Sequence, residues 1–232
     1  MKRHLLLVTL SACLAPAAQA QSFCASDGQP TPVALVERFI SADCQTCWSD
    51  PPTPKTNPQA VTLDWIVPSP RGDDAPLSAA ASRDALARLA HLRLAAPTEA
   101  LVTTSPLASA HAHPLRVAHG LPFNDYLGTS IEMKPAKAAT SSPWTAWLLM
   151  VETIPAGIEG SPVERRLARN LFKTEWRRPL AKDKAQAARF MESRPLSIPP
   201  GANPDNLSVL GWVEDTQGRI RSIALSRCTP AE

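Results

Sequence analysis

An apolar segment that ends in two cysteines three positions apart constrains this 232-residue chain more than any other feature. The segment begins at Val36, continues through Phe39 and Ile40, and leads to Cys44 and Cys47. Two thiols at this spacing can form a local bridge or exchange with the thiols of another molecule. The pattern therefore predicts a buried strand with a reactive or bridged cysteine pair at the turn into a helix.

The first twenty residues have the pattern of an export signal. A basic start at Met1–His4 precedes the apolar run Leu5–Leu10, and Ala18–Gln19–Ala20 provides a cleavage site. The prediction is a signal peptide over residues 1–20 and a periplasmic or secreted protein. An alternative is a lipoprotein, because Leu10–Ser11–Ala12–Cys13 resembles a lipid-attachment motif that would place a lipid on Cys13.

Net charge and hydrophobicity argue against a nucleic-acid partner and against a transmembrane segment. The chain carries 24 basic and 21 acidic side chains, and two of the basic ones, Lys2 and Arg3, lie in the predicted signal, so the net charge of the remainder falls from +3 to +1. A near-neutral chain without a basic run argues against a nucleic-acid partner. No run approaches the roughly 18 apolar residues of a transmembrane helix, so no transmembrane segment is expected.

Four cysteines follow the predicted signal, and an even number in an oxidising compartment predicts two disulfides. We expect Cys44 to pair with Cys47 and Cys24 to pair with Cys228. The second bridge would tie the two ends of the exported chain together, which the chain-entropy model values at about 4–5 kcal/mol. The alternative is that Cys24 and Cys228 are free or pair between molecules.

Hydrophobic periodicity predicts an α+β protein in which a mixed first half precedes a strand-rich second half. In the first half we predict strands at 32–41, 61–67 and 100–104 and one helix over 78–94, capped by Ser78 and bearing an Asp84–Arg88 pair. Prolines between Trp48 and Ala60 rule out a long helix after the cysteine pair. The second half contains the remaining predicted segments: strands at 129–133, 144–154, 171–177, 195–198, 207–214 and 219–225, a helix-favouring stretch at 181–191, and an irregular stretch at 108–122.

These elements resemble an exported bacterial thioredoxin-like family catalogued as domain of unknown function 1223. The resemblance is carried by Val36–Cys47, by Asp64–Trp65 and by the closing hairpin at Leu207–Ala224. It implies a thioredoxin-like domain at 21–112 followed by a β-rich, sandwich-like domain at 113–232. Ala96–Pro97–Thr98 is similar to the family's Thr-Pro-Gln stretch, which would make Pro97 a cis-proline facing the cysteine pair.

The leading functional hypothesis is thiol–disulfide exchange with another periplasmic thiol or disulfide protein, although whether the protein is an enzyme stays open. Cys44 would be the nucleophile and Cys47 the resolving thiol. The shortened helix and the neighbouring Asp43 both oppose thiolate formation at Cys44. The alternative is a non-catalytic envelope protein with structural disulfides and a binding role for the β-rich domain.

Metal binding is a weaker hypothesis, and neither a metal nor another cofactor is predicted. His111, His113 and His119 could combine with Cys44 and Cys47 as soft-metal ligands. Histidines in a solvated loop usually have no such role. Four tryptophans in predicted strands are expected to be core residues: Trp144, Trp147, Trp176 and Trp212.

Overall fold

The computed structural model describes residues 24–49, 57–108, 114–134, 143–177 and 189–228, which form an α+β fold with two sheets and few helices. The predicted signal, Cys13, His111 and His113 lie outside the described residues. Within the described ranges the strands are β1 (Cys24–Ala25), β2 (Ala34–Ser41), β3 (Ala60–Val67), β4 (Ala100–Pro106), β5 (Leu115–His119), β6 (Tyr126–Met133), β7 (Trp144–Ile154), β8 (Arg165–Trp176), β9 (Phe190–Ser197), β10 (Leu207–Glu214), β11 (Ile220–Leu225) and β12 (Arg227–Cys228). The α-helices there are α1 (Gln45–Ser49) and α2 (Arg83–Leu92), and short 3-10 turns span Gly72–Asp74, Ser78–Ala80 and Pro204–Asn206.

The larger sheet has seven strands in the order β11-β10-β7-β8-β3-β2-β4. β2 pairs in parallel with β3 and antiparallel with β4, and β3 meets β8 in parallel at Asp64 and Leu167. β2 and β3 are buried on both faces, which explains their nearly continuous apolar sequences. The sheet draws strands from both sides of the predicted boundary at residue 112, and the boundary itself stays a prediction.

The smaller sheet has five antiparallel strands in the order β12-β1-β5-β6-β9. It packs on one face of the larger sheet, with Val117 and Ile131 in the same core as Leu148 and Val209. The two sheets and the few helices confirm the α+β class, and a sandwich-like domain formed by the second half alone stays a prediction. The four predicted core tryptophans are all buried, which confirms that prediction.

Helix α2 covers the opposite face of the larger sheet. Ala85 and Leu89 are buried in the same hydrophobic core as Phe39 and Trp65. The cap is Ser82, whose hydroxyl accepts from the amide of Asp84, so the prediction of Ser78 was wrong. Ser78 instead begins a 3-10 turn, because the chain must still turn over the sheet before the helix can start.

The predicted Asp84–Arg88 pair was also wrong. Asp84 accepts a hydrogen bond from the amide of Leu171, and Arg88 turns into the core towards Glu37 and Glu214. The helical spacing permits the pair, but both side chains have tertiary partners in a drier environment, where an ion pair is stronger than on a helix surface.

The strands of the second half differ from prediction at several points. β5 occupies part of the stretch predicted to be irregular, and β6, β8 and β9 each begin three or more residues earlier than expected. The first half of β8 was missed because Arg165 and Arg169 interrupt its apolar pattern, although both are buried against carboxylates. The helix predicted at 181–191 falls outside the described residues up to 188, and Phe190 and Met191 belong to β9.

Among the described residues, no helix is both long enough and apolar enough to cross a membrane.

Gly211 on β10 lies directly under side chains of the smaller sheet and leaves no room for a Cβ. A Cβ at this position would overlap Cγ1 of Val117 and approach Cδ1 of Ile131 to 3.0 Å. We expect Gly211→Ala to lower the free energy of unfolding by about 1–3 kcal/mol, because the added methyl overpacks the core. Urea denaturation measures the loss. Gly128→Ala is the matched control, since a Cβ there meets nothing within 4 Å, and equal stability of the two variants would contradict this account of the packing.

Candidate functional site

The cysteine pair lies at the carboxyl end of the parallel strands β2 and β3. The amide of Ser41 donates to the carbonyl of Glu99 at 2.7 Å, and the amide of Ala42 donates to the carbonyl of Val67 at 2.8 Å. These bonds hold the end of β2 on both sides. The loop that follows therefore leaves the sheet from a rigid support, at the edge where open parallel sheets commonly place their ligand sites.

Cys44 and Cys47 form a disulfide with a Cα–Cα distance of 5.3 Å, as predicted. Both are partly buried, and Sγ of Cys44 lies 3.5 Å from the hydroxyl of Thr46. When the bridge is reduced, this hydroxyl can donate to a Cys44 thiolate and favour it. Asp43, which opposes the thiolate, has Arg71 at 3.7 Å as a counter-charge.

Helix α1 has only five residues, which agrees with the proline content after Trp48. Its stability comes from contacts with distant parts of the chain. The indole of Trp48 is buried and donates to the carbonyl of Glu159 at 2.7 Å. Arg165 donates to the carbonyl of Trp48 at 2.6 Å, and its guanidinium lies 5.0 Å from the centre of the indole.

A buried chain of charges continues from Arg165 beneath α1. Arg165 lies 3.7 Å from a carboxylate oxygen of Asp64, whose other oxygen accepts from Arg38 at 2.6 Å. Burial raises the pKa of Asp64 to about 6, against the opposing effect of Arg38. The sequence singled out Asp64 only as part of a motif. Arg38 and Arg165 were not predicted to belong to this site, although a charged residue in an otherwise apolar strand is a sequence signal of a buried ion pair.

A cavity of about 210 Å³ with a mixed polar and apolar lining lies against α1, the helix that contains Cys47. Its walls come from α1, from β3, from the turn before α2, from the loop between β7 and β8, and from β8. The lining side chains include Trp48, Ile66, Leu77, Ala80 and Leu167, with Gln45 and Glu159 as polar members. Cys44 and Cys47 pack against the same hydrophobic cluster that contributes Trp48, Ile66 and Leu167 to the cavity walls.

Pro97 does not have the conformation that the family resemblance implied. No cis peptide bond occurs among the described residues, so the predicted cis-Pro97 was wrong. The segment from Leu94 to Pro97 is an irregular link between α2 and β4, and nothing there imposes a tight turn. The Ala96–Pro97 bond therefore keeps the trans form, which X–Pro bonds favour by about 0.5–1 kcal/mol.

A second polar cluster, which the sequence did not predict, lies on the α2 face of the sheet. Arg88 is fully buried and binds Glu37 and Glu214, each at 2.8 Å. Its guanidinium lies 4.7 Å from the ring centre of Trp147 and 5.1 Å from that of Trp212. The arrangement holds α2, β2 and β10 together around one cation.

His91 connects this cluster with the surface. Its Nε2 lies 2.6 Å from Glu214, and its Nδ1 lies 3.4 Å from Nζ of Lys173. Burial raises the pKa of Glu214, but hydrogen bonds from His91, Arg88 and Trp212 outweigh it and lower the value to about 2. Glu37, Arg88 and Glu214 are almost completely shielded from solvent, so the cluster is structural in character.

The third site contains the other disulfide. Cys24 and Cys228 are bridged, as predicted, with a Cα–Cα distance of 4.0 Å across a sequence separation of 204. His119 is grouped with these two cysteines among the described residues, and not with Cys44 and Cys47 as the metal hypothesis supposed. The reason is strand pairing, because β5 places His119 directly beside Cys24.

Searches of protein-family models, of curated proteins and of solved structures found no match to this chain.

The Arg88 cluster makes stability depend on acid pH. Because the pKa of Glu214 falls from 4.5 to about 2 on folding, its contribution is complete above about 4.5 and is lost as the pH falls towards 2. We expect Glu214→Gln to remove this part of the pH dependence. At pH 7 it should cost about 3–5 kcal/mol, because Arg88 loses a buried counter-charge.

Urea denaturation between pH 2 and pH 7 measures both effects. The control is Glu175→Gln, which removes one partner of an exposed ion pair with Arg177 and should change stability by no more than about 1 kcal/mol. Stability curves of Glu214→Gln and the wild type that stay parallel below pH 4.5 would count against the assignment.

Proposed function

We propose that this protein is an exported thioredoxin-like protein that carries out thiol–disulfide exchange through Cys44 and Cys47. Export rests on the signal pattern of residues 1–20. The order of elements supports the thioredoxin-like part, because β2, α1 and β3 form a parallel β-α-β unit with the cysteine pair at its first turn. α2 and the antiparallel β4 then complete this half of the protein.

The observation that carries the proposal is the contrast between the two disulfides. Cys44–Cys47 spans a sequence separation of 3, whereas Cys24–Cys228 spans 204. In the chain-entropy model the short loop is worth about 2 kcal/mol and the long loop about 5 kcal/mol. A structural role therefore explains Cys24–Cys228 better than it explains a bridge that closes so short a loop.

The exchange step starts from the bridged form. A substrate thiolate attacks Sγ of Cys44, a mixed disulfide forms, and Cys47 leaves as a thiolate. A second substrate thiolate then attacks the substrate sulfur of the mixed disulfide and releases Cys44. The substrate dithiol is oxidised to a disulfide, the Cys44–Cys47 bridge is reduced to two thiols, and the two substrate protons pass to these cysteines or to solvent. The reverse sequence reduces a substrate disulfide.

The cavity indicates what kind of substrate fits. Leu77, Ala79 and Ala80 are solvent-accessible apolar members of the cavity lining, and the two cysteines pack against the same hydrophobic cluster as Leu77 and Ala80. A small thiol such as glutathione has no apolar group to fill this space. A polypeptide with an apolar side chain close to its cysteine does, which agrees with a periplasmic thiol or disulfide protein as the partner.

The rival function, a non-catalytic binding protein, is supported by the turn between β5 and β6. Leu121, Phe123 and Tyr126 are 63%, 76% and 51% exposed there. Asn124 and Asp125 have positive φ angles of 48° and 60°, and they form the tight turn that connects Phe123 to Tyr126. Exposed apolar side chains that lie close together can form the kind of apolar patch that marks a protein-binding site.

The reduction potential of Cys44–Cys47 separates the two functions. We expect a value between about −120 and −270 mV, the range of working oxidoreductases, and a value below about −300 mV would identify a structural bridge. Glutathione titration with mass-spectrometric readout measures it. Cys44→Ser should abolish exchange with the fold intact, whereas Cys24→Ser/Cys228→Ser should lower stability by about 2–5 kcal/mol and keep exchange.

A variant that fills the cavity tests whether the substrate places an apolar side chain there. Ala79 is an exposed lining residue, so a larger side chain there can occupy the cavity without disturbing the core. We expect Ala79→Phe to lower kcat/KM for a reduced, unfolded protein substrate roughly tenfold, since about 1.4 kcal/mol of lost apolar contact is a factor of ten. Exchange with glutathione should not change.

The control for this variant is Ala87→Phe, an equal change on the exposed face of α2 across the sheet. Equal loss of activity with glutathione and with the protein substrate would show that Ala79→Phe damages the cysteine pair instead of blocking a substrate side chain.

A further inference from the structure

Three potential metal ligands lie side by side in the five-stranded sheet. Cys24 on β1 pairs directly with Cys228 on β12 and with His119 on β5. The two sulfurs and a ring nitrogen of His119 all lie within 4.8 Å of one another. The proposed exchange at Cys44 and Cys47 does not use this cluster.

His119 has a nitrogen that the fold leaves without a partner. The side chain is 5% exposed, and Nδ1 lies 2.9 Å from the carbonyl of Gly120, to which it donates. The second nitrogen, Nε2, is buried and meets no hydrogen-bond partner in the described part of the chain. Leaving such an atom unpaired costs about 1–3 kcal/mol, so packing alone does not explain this histidine.

The state of this nitrogen suits a ligand. The hydrogen bond to the Gly120 carbonyl places the ring proton on Nδ1. With the proton on Nδ1, the lone pair is on Nε2. A neutral imidazole beside two sulfurs is the donor set that zinc(II) and copper(I) prefer.

We propose that reduction of the Cys24–Cys228 bridge creates a binding site for a thiophilic closed-shell cation, zinc(II) or copper(I), held by Cys24, Cys228 and Nε2 of His119. The bridge takes two electrons and two protons from a dithiol, which becomes a disulfide. The cation then displaces the two thiol protons to solvent. Disulfide and metal exclude each other, so the cation stabilises the reduced form.

The sheet geometry allows both states. In a tetrahedral site with metal–sulfur bonds of about 2.3 Å, the sulfurs stand about 3.8 Å apart. Cys24 and Cys228 are directly opposed strand partners with Cα atoms 4.0 Å apart, so a rotation of the side chains provides this separation. Cys24 is buried and Cys228 is exposed, which leaves a path for the cation and for a water molecule as fourth ligand of zinc(II).

The experiment uses the full exported chain with Cys44→Ser/Cys47→Ser, which removes the other thiols and makes the result independent of the proposed exchange activity. The protein is reduced with a phosphine and titrated with zinc(II) or copper(I) against a chromophoric chelator for each ion. We expect one cation per reduced chain and none per oxidised chain. The ion that forms the tighter complex in these two titrations is the cation that the site prefers.

His119→Asn is the deciding variant, because an asparagine amide can still donate to the Gly120 carbonyl but lacks Nε2. We expect its affinity to fall at least about tenfold, the loss that even an outer-shell partner of a metal causes. His91→Asn, on α2 across the larger sheet from β5, is the matched control and should bind the cation as the parent does. Equal binding by the two variants, or equal binding by reduced and oxidised protein, would overturn the proposal.

Far-ultraviolet circular dichroism of the reduced protein covers the case in which the chain unfolds without its bridge. The cation should then restore the folded spectrum in the parent and not in His119→Asn. A spectrum that no cation restores would also overturn the proposal.

Discussion

The buried guanidinium of Arg88 is the interaction on which the assembly of this fold depends. It joins α2 to β2 through Glu37 and to β10 through Glu214, so it connects an early helix, an early strand and a late strand of the chain. A buried cation costs several kcal/mol unless it is fully paired. Two carboxylates pair with this cation and two indole rings lie against it, so the correct packing of β10 against the first half is a condition for burying Arg88 at all.

A second arginine, Arg165, likewise connects distant parts of the chain on the opposite face of the larger sheet. Arg165 on β8 binds the carbonyl of Trp48 and approaches Asp64, so the short helix that carries the cysteine pair is held by a residue far away in sequence. This explains how a five-residue helix persists where proline prevents a longer one. It also means that the candidate site belongs to the whole seven-stranded sheet, because β8 contributes both its support and a wall of its cavity through Leu167.

The strands of the first half were largely predictable from the sequence, because the apolar patterns that mark them are local. The strands that became β2 and β3 are continuous apolar runs. In the second half, the four tryptophans in predicted strands were correctly identified as core residues. The errors share a cause. The charged residues of α2 and β8 interrupt an apolar pattern or match a surface pattern, and only their partners elsewhere in the chain show that they are buried. The cis state expected at Pro97 came from a family resemblance, and the extended link that contains this residue does not require it.

The sequence by itself determined the α+β class, the two disulfide pairings and the position of the cysteine pair at the end of a buried strand. Hydrophobic periodicity and the positions of prolines are local patterns, and the number of cysteines is a property of the composition, so all three are visible without the tertiary structure. Only the tertiary structure decided which charges are buried, which cavity lies against α1, and that His119 stands beside Cys24. Those facts depend on strand order and register, which bring together residues separated by up to 204 positions, and no local pattern encodes such distances.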